Sequence, residues 1–151
     1  MDAILPTEIT REVILKASKQ DVWNALTEPD QLSQWFCGRW AGEVKPGETV
    51  TLDWSSEGYG TCEAIIDEVD PTDRVSYRWH PGEDCSMAAY PLEEATLVAF
   101  ELFDHADGTR LIMTESGFDR VPLNRRSNAL KANTSGWEAE LKDLMAFVEK
   151  P

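Results

Sequence analysis

The stretch Asp21–Phe36, DVWNALTEPDQLSQWF, places three large aromatic residues within sixteen positions and reads as two short helices set end to end. Val22, Trp23, Ala25 and Leu26 recur at helical spacing and give the first helix an apolar stripe. Ser18 stands ahead of it as an N-cap, with Asp21 three residues on as its capping-box partner. Thr27 is placed to cap the second helix and Pro29 suits its first turn. Leu32, Trp35 and Phe36 then repeat at three and four, so the second helix also has one apolar face. This helical pair matters for the fold because almost everything around it reads as strand.

Ahead of it, Ile9–Leu15 is a first strand, rich in β-branched and apolar residues. From Val44 onward the period changes. The segment KPGE forms a turn, with Pro46 and Gly47 at the positions a type II turn favours. Val50, Leu52 and Trp54 alternate with polar neighbours, the period of a strand with one buried face. A turn at Gly58 and Gly60 leads into Thr61–Val69, whose mixed apolar phase predicts a bulge. After DPTD, Val75, Tyr77 and Trp79 alternate with Arg74, Ser76, Arg78 and His80.

A polar, turn-rich segment, HPGEDCSMAAYPLEEA, reads as a long loop. Thr96–Phe103 and Thr109–Ser116 form a hairpin closed near Asp107-Gly108. A second loop, GFDRVPLNRR, precedes a long helix running from about Ser127 to Glu149. On that helix Trp137, Leu141, Leu144, Met145 and Val148 define one broad apolar face. The order is strand, two short helices, five or more antiparallel strands, long helix. Strands joined by tight turns make a meander, and the terminal helix is the element long enough to cover its apolar face. The class is α+β, a single domain over residues 1–151.

That order resembles the helix-grip fold of the START-like (SRPBCC) superfamily, which includes the birch-pollen-allergen type and the polyketide cyclases. The stretch 21–36 resembles the family's amphipathic helix ending in Ala-Leu-Thr, followed by an acid, a Pro and a second helix ending at Trp. EVDPTDRVSYRW is similar to its strand–turn–strand, GTRLIMTESGF to its late hairpin strand, and GWEAELKDLMAFVE to its closing helix. Together these motifs resemble the branch related to the activator of the heat-shock chaperone ATPase (AHSA-type), across nearly the whole chain. The resemblance implies a curved sheet wrapped around the long helix, with the two short helices closing one end of an interior space. Trp35 and Phe36 are then wall or plug residues of that space, or plain core.

The alternating phase sends Val50, Leu52, Trp54, Val75, Tyr77, Trp79, Val98, Phe100, Leu111 and Met113 toward the helix. An apolar cavity with few polar groups is the usual form of a small-molecule site. The expected ligand-binding residues are Trp35, Trp54, Tyr77, Trp79, Phe100, Met113, Glu115, Phe118 and Trp137. Glu115 continues the inward phase of Leu111 and Met113, so its carboxyl is expected to be desolvated unless a cation or donor satisfies it. It would anchor a ligand hydroxyl or amine or act as a general acid/base; the alternatives are a pairing with a nearby Arg or a phase slip into water. Arg120, Arg125 and Arg126 cluster just before the long helix, where positive charge is unfavourable. They would hold an anionic ligand or acidic residues, or form a solvated loop. By the same phase His80 faces away from the cavity, and His105 sits in a turn with Asp104 and Asp107.

Composition narrows the function classes. With 42% hydrophobic and 28% charged residues in 151, the chain is long enough for one continuous core. A net charge of −14 argues against nucleic acid, which needs clustered Lys and Arg, and against anionic membranes. No apolar run is long enough to span a bilayer, and the acidic amino terminus lacks the basic region of a secretory signal, so a cytoplasmic address is expected. The scattered Cys37, Cys62 and Cys85 fit reduced structural thiols rather than a metal site. No phosphate-cradling Gly loop or dinucleotide fingerprint is present, and no cofactor is called for.

Three functions remain open. The first is a binding domain for a small apolar or amphipathic molecule. The second, implied by the resemblance, is an interaction module for a heat-shock chaperone, although in those activators a separate domain accompanies this one. The third is a polyketide-cyclase-like enzyme with Glu115 as acid/base and Tyr77 assisting.

Overall fold

Strand β1 (Glu8–Leu15) leads to Ser18, whose hydroxyl accepts the Asp21 N–H at 3.1 Å and opens helix α1 (Lys19–Thr27). The expected stripe of Val22, Trp23, Ala25 and Leu26 is buried. Helix α2 (Pro29–Trp35) follows with Pro29 at its start, but Thr27 does not cap it. Thr27 is still helical, and its hydroxyl donates to the Trp23 carbonyl at 2.8 Å. The break falls at Glu28, in extended backbone, because a residue before proline is driven out of the helical region. The computed structural model describes residues 6–36, 38–54, 60–82 and 85–150.

Strands β2 (Arg39–Ala41), β3 (Thr49–Asp53), β4 (Thr61–Asp70), β5 (Arg74–Trp79), β6 (Thr96–His105) and β7 (Gly108–Ser116) form one antiparallel sheet with β1. Its order is β1-β7-β6-β5-β4-β3-β2, a meander whose last strand takes the first as its neighbour. The three residues of β2, between Gly38 and Gly42 at positive φ, are too few to show an alternation in sequence. The expected bulge in β4 lies between Ile66 and Glu68. The β6–β7 turn falls at Ala106–Asp107, one residue early, with Gly108 already paired to His105. Glycine is needed at 108 because a Cβ there would lie 2.1 Å from the Leu15 carbonyl oxygen.

Helix α3 (Leu123–Val148) packs on the inner face of the sheet through Ala129, Leu130, Trp137, Leu141 and Leu144. It begins at Leu123 rather than Ser127, so Arg125 and Arg126 belong to its first turn and not to a loop. Arg126 donates to the carbonyls of Val121 and Asp119 at 3.0 and 2.9 Å. Arg125 pairs with Glu94, and its guanidinium lies 3.4 Å from the Tyr90 ring centroid. Both tie α3 to adjoining loops, which offsets their unfavourable place at a helix amino end. No helix among the described residues is long and apolar enough to cross a membrane.

The reading of the cysteines as reduced thiols is corrected. Cys62 on β4 and Cys85 in the loop after β5 form a disulfide, with Cα atoms 4.9 Å apart. Their separation of 23 positions hid the pairing, since partners are set by the sheet and not by spacing. Cys37 and Gly58 lie outside the described residues. Replacing Cys85 by Ser is expected to lower unfolding stability by about 3 kcal/mol, the chain-entropy value for a loop of this order. Chemical denaturation of the variant beside the wild type checks this. Three titratable thiols in the unreduced, denatured protein would contradict the bridge.

Candidate functional site

Residues Thr109, Leu111, Met113 and Glu115 of β7 all point inward, and the alternation holds to the strand end. Glu115 is therefore fully buried, as its phase predicted. A carboxylate in that position is costly unless its oxygens are met by donors. Four side chains supply them. Trp79 Nε1 on β5 and Thr96 Oγ1 on β6 donate to Oε2 at 2.9 and 2.5 Å. Trp137 Nε1 donates to Oε1 at 2.8 Å from α3, and Asn133 Nδ2 reaches both oxygens at 2.8 and 3.0 Å. Asn133 and Trp137 stand four apart, so one helix face delivers both. The Asn133 carbonyl accepts the Gly82 N–H at 3.2 Å, which orients its amide with the nitrogen toward Glu115. Among the described residues neither an Arg partner nor a slip into water occurs; neutral donors meet both oxygens.

Beside this cluster lies a cleft of about 360 Å³ between α3 and the end of the sheet. Phe36, Trp54, Trp79 and Trp137 give it an aromatic wall. Trp79 and Trp137 sit with centroids 5.7 Å apart and planes at 31°. His80, Pro81, Gly82 and the Cys62–Cys85 bridge form another side, and Ala132, Asn133, Gly136 and Glu140 of α3 complete it. A Cβ built on Gly136 would meet nothing within 4 Å. Glycine inside a helix costs about 1 kcal/mol relative to alanine. Here it leaves open space above the aromatic wall.

The expected site residues separate into two groups. Trp54, Trp79 and Trp137 line the cleft, and Glu115 stands behind the two indoles it anchors. Trp35, Tyr77, Phe100, Met113 and Phe118 lie elsewhere in the packed interior. Met113 and Phe118 are fully buried, and Trp35 pins α2 to α1 through its Nε1 donation to the Ala25 carbonyl at 2.8 Å. Tyr77 and Phe100 border a void of only about 10 Å³, so the middle of the sheet is filled. Burial, then the fields of Glu115 and Glu140, push the Tyr77 phenol well above its ordinary pKa. Its hydroxyl has no hydrogen-bond partner among the described residues. Strand phase assigns a face of the sheet, but not the place along it where space remains.

His80 does not face away. Strand β5 ends at Trp79, so alternation no longer governs the next residue, and His80 is 1% exposed in the cleft wall with Nε2 3.0 Å from the Tyr90 carbonyl oxygen. Glu140 is a second inward acid that the sequence reading missed, although it interrupts the apolar face between Trp137 and Leu141. Asn133, one turn before Trp137, carried the same signal. No group of three or more His, Cys, Asp or Glu is placed to hold a metal ion among the described residues.

Curved antiparallel sheet, covering helix and paired short helices define a helix-grip protein of the START-like class. The chain belongs to the Activator of Hsp90 ATPase homolog 1-like protein family, whose model matches residues 16–149. No curated protein matches it. Among solved structures, MLL2253 from Mesorhizobium loti is similar at 21% identity, with 94% of this chain and 96% of that one covered and a TM-score of 0.75. The Aha1 dimer from Colwellia psychrerythraea is 19% identical over 94% of this chain and 96% of its own, with a TM-score of 0.74. DynU16, from the dynemicin biosynthetic locus, is 23% identical over 97% of this chain but 48% of its own, with a TM-score of 0.74.

Glu115→Leu strands two indole N–H groups and an amide without their acceptor. The expected cost is at least about 3 kcal/mol, at about 1–3 for each of the three buried donors left unmet. Glu115→Gln keeps one acceptor oxygen and is expected to lose less. Urea unfolding midpoints of both variants measure the difference.

Proposed function

We propose that this protein binds a small, largely apolar molecule in the cleft between the sheet and α3. The observation that carries the reading is the space itself: four aromatic side chains on one side, and a mid-helix glycine opposite with nothing within 4 Å of its Cβ position. A helix that only sealed a core would be expected to fill that position, and alanine alone would add stability. The polar groups are few and fixed, which suits orientation of a ligand. A cytoplasmic address belongs to the same proposal.

A second reading, an interaction module for a heat-shock chaperone, draws on the family's name and on the likeness to the Aha1 dimer. It predicts stimulation of a chaperone ATPase by the purified chain, and an unchanged rate counts against it. A cyclase-like role draws on the likeness to DynU16. In that case the proton carriers next to the substrate would be Glu140 and His80, because Glu115 is enclosed behind Trp79 and Trp137.

Native mass spectrometry for a co-purifying molecule, followed by tryptophan fluorescence titration with a panel of hydrophobic compounds, tests the binding reading. Saturable quenching is expected. Gly136→Phe should fill the cleft and abolish it with the fold retained, whereas Gly136→Ala should raise stability by about 0.5–1 kcal/mol. Quenching that persists unchanged in Gly136→Phe would move the ligand out of this cleft.

A further inference from the structure

We infer that the cleft takes an organic cation, a tertiary or quaternary ammonium on an apolar body, held against the rings of Trp79 and Trp137. The inference rests on the binding reading above and adds the charge of the occupant. Among the described residues that line the cleft there is no Lys or Arg, and Glu140 and His80 are the titratable ones. Of the basic cluster, Arg125 is engaged by Glu94 and the Tyr90 ring, and Arg126 by the Val121 and Asp119 carbonyls. An anion entering here would meet Glu140 and the field of Glu115, with no arginine or lysine among the described lining residues to receive it.

The wiring of the two indoles points the same way. An indole carries negative charge on its faces and positive charge at its N–H edge. Both N–H edges are spent on one carboxylate, at 2.9 and 2.8 Å. A backbone carbonyl satisfies an indole N–H well enough, as the Ala25 carbonyl does for Trp35. A carboxylate does more, because hydrogen bonds in a low-dielectric interior polarise one another and an anionic acceptor pushes electron density into the donor ring. The faces of Trp79 and Trp137 become better cation acceptors, and tryptophan is already the best of the aromatic side chains for this. Phe36 stands nearly perpendicular to both, at 75° and 88° with centroids 6.2 and 5.7 Å away. Trp54 lies beyond it at 80° and 6.4 Å, so the box has aromatic walls in more than one plane. A buried Glu115 then acts on the ligand through the indoles it holds.

The test compares benzyltrimethylammonium with neopentylbenzene, its neutral isostere, by ligand-observed proton NMR at fixed ionic strength. The cation should bind at least about tenfold more tightly, the scale of a desolvated cation–π contact. In Glu115→Gln that ratio should fall toward one, and Glu140→Gln, on the cleft wall, should reduce it independently should the first variant fold poorly. Equal affinities in the wild type would overturn the cation and leave the binding reading standing. Absence of binding by both compounds would overturn the two together.

Discussion

The Glu115 carboxylate is the constraint on which the site depends. It is buried without a cationic partner among the described residues, so it is tolerable only while Trp79, Thr96, Asn133 and Trp137 all aim donors at it. Those donors come from β5, β6 and α3, and the acid itself from β7. One group therefore fixes how far the helix stands from the sheet and how two large indoles are turned. Asn133 extends the network to Gly82, and through it to the loop that Cys85 bridges back to β4. A helix held on a packed sheet by dispersion alone has no such directional requirement.

The rest of the cleft follows from what that arrangement leaves open. Toward the middle of the sheet, Tyr77, Phe100 and their neighbours close the interior to a void of about 10 Å³. At the end, α3 presents Ala132 and Gly136 where larger side chains would reach the aromatic wall, and a space of about 360 Å³ persists. Close packing and open space are thus separated along one helix. Leu141 and Leu144 pack against the core, while the turns before them support the cleft. The same separation explains why aromatic residues with the same inward phase divide between wall and filler.

Much of the fold was legible in the sequence because local rules and tertiary demands agree. Ser18 caps α1, Pro29 opens α2, and the period-two runs become β3, β5 and β7 with the predicted face inward. The mixed phase at Ile66 marks a real bulge. The errors occur where a rule meets its boundary. Thr27 loses the capping role because Pro29 acts on Glu28, α3 starts at Leu123 because Arg125 and Arg126 find partners there, and β2 is too short to show a period. The lining of the cleft was legible in part, through Trp54, Trp79 and Trp137, with Glu115 behind two of them. His80, Gly136, Glu140 and the Cys62–Cys85 bridge were not, since each depends on which loop and helix turn meet at the sheet end.

The most direct measurement is nitrogen-15 NMR of the tryptophan indole groups, with hydrogen exchange, in the wild type and in Glu115→Gln. If the carboxylate holds both indoles, the Trp79 and Trp137 N–H signals are shifted downfield and exchange slowly, and both move together in the variant while Trp35 does not. Indole signals at solvent-like positions, or a variant spectrum in which Trp79 and Trp137 stay where they were, would contradict the central role given to Glu115.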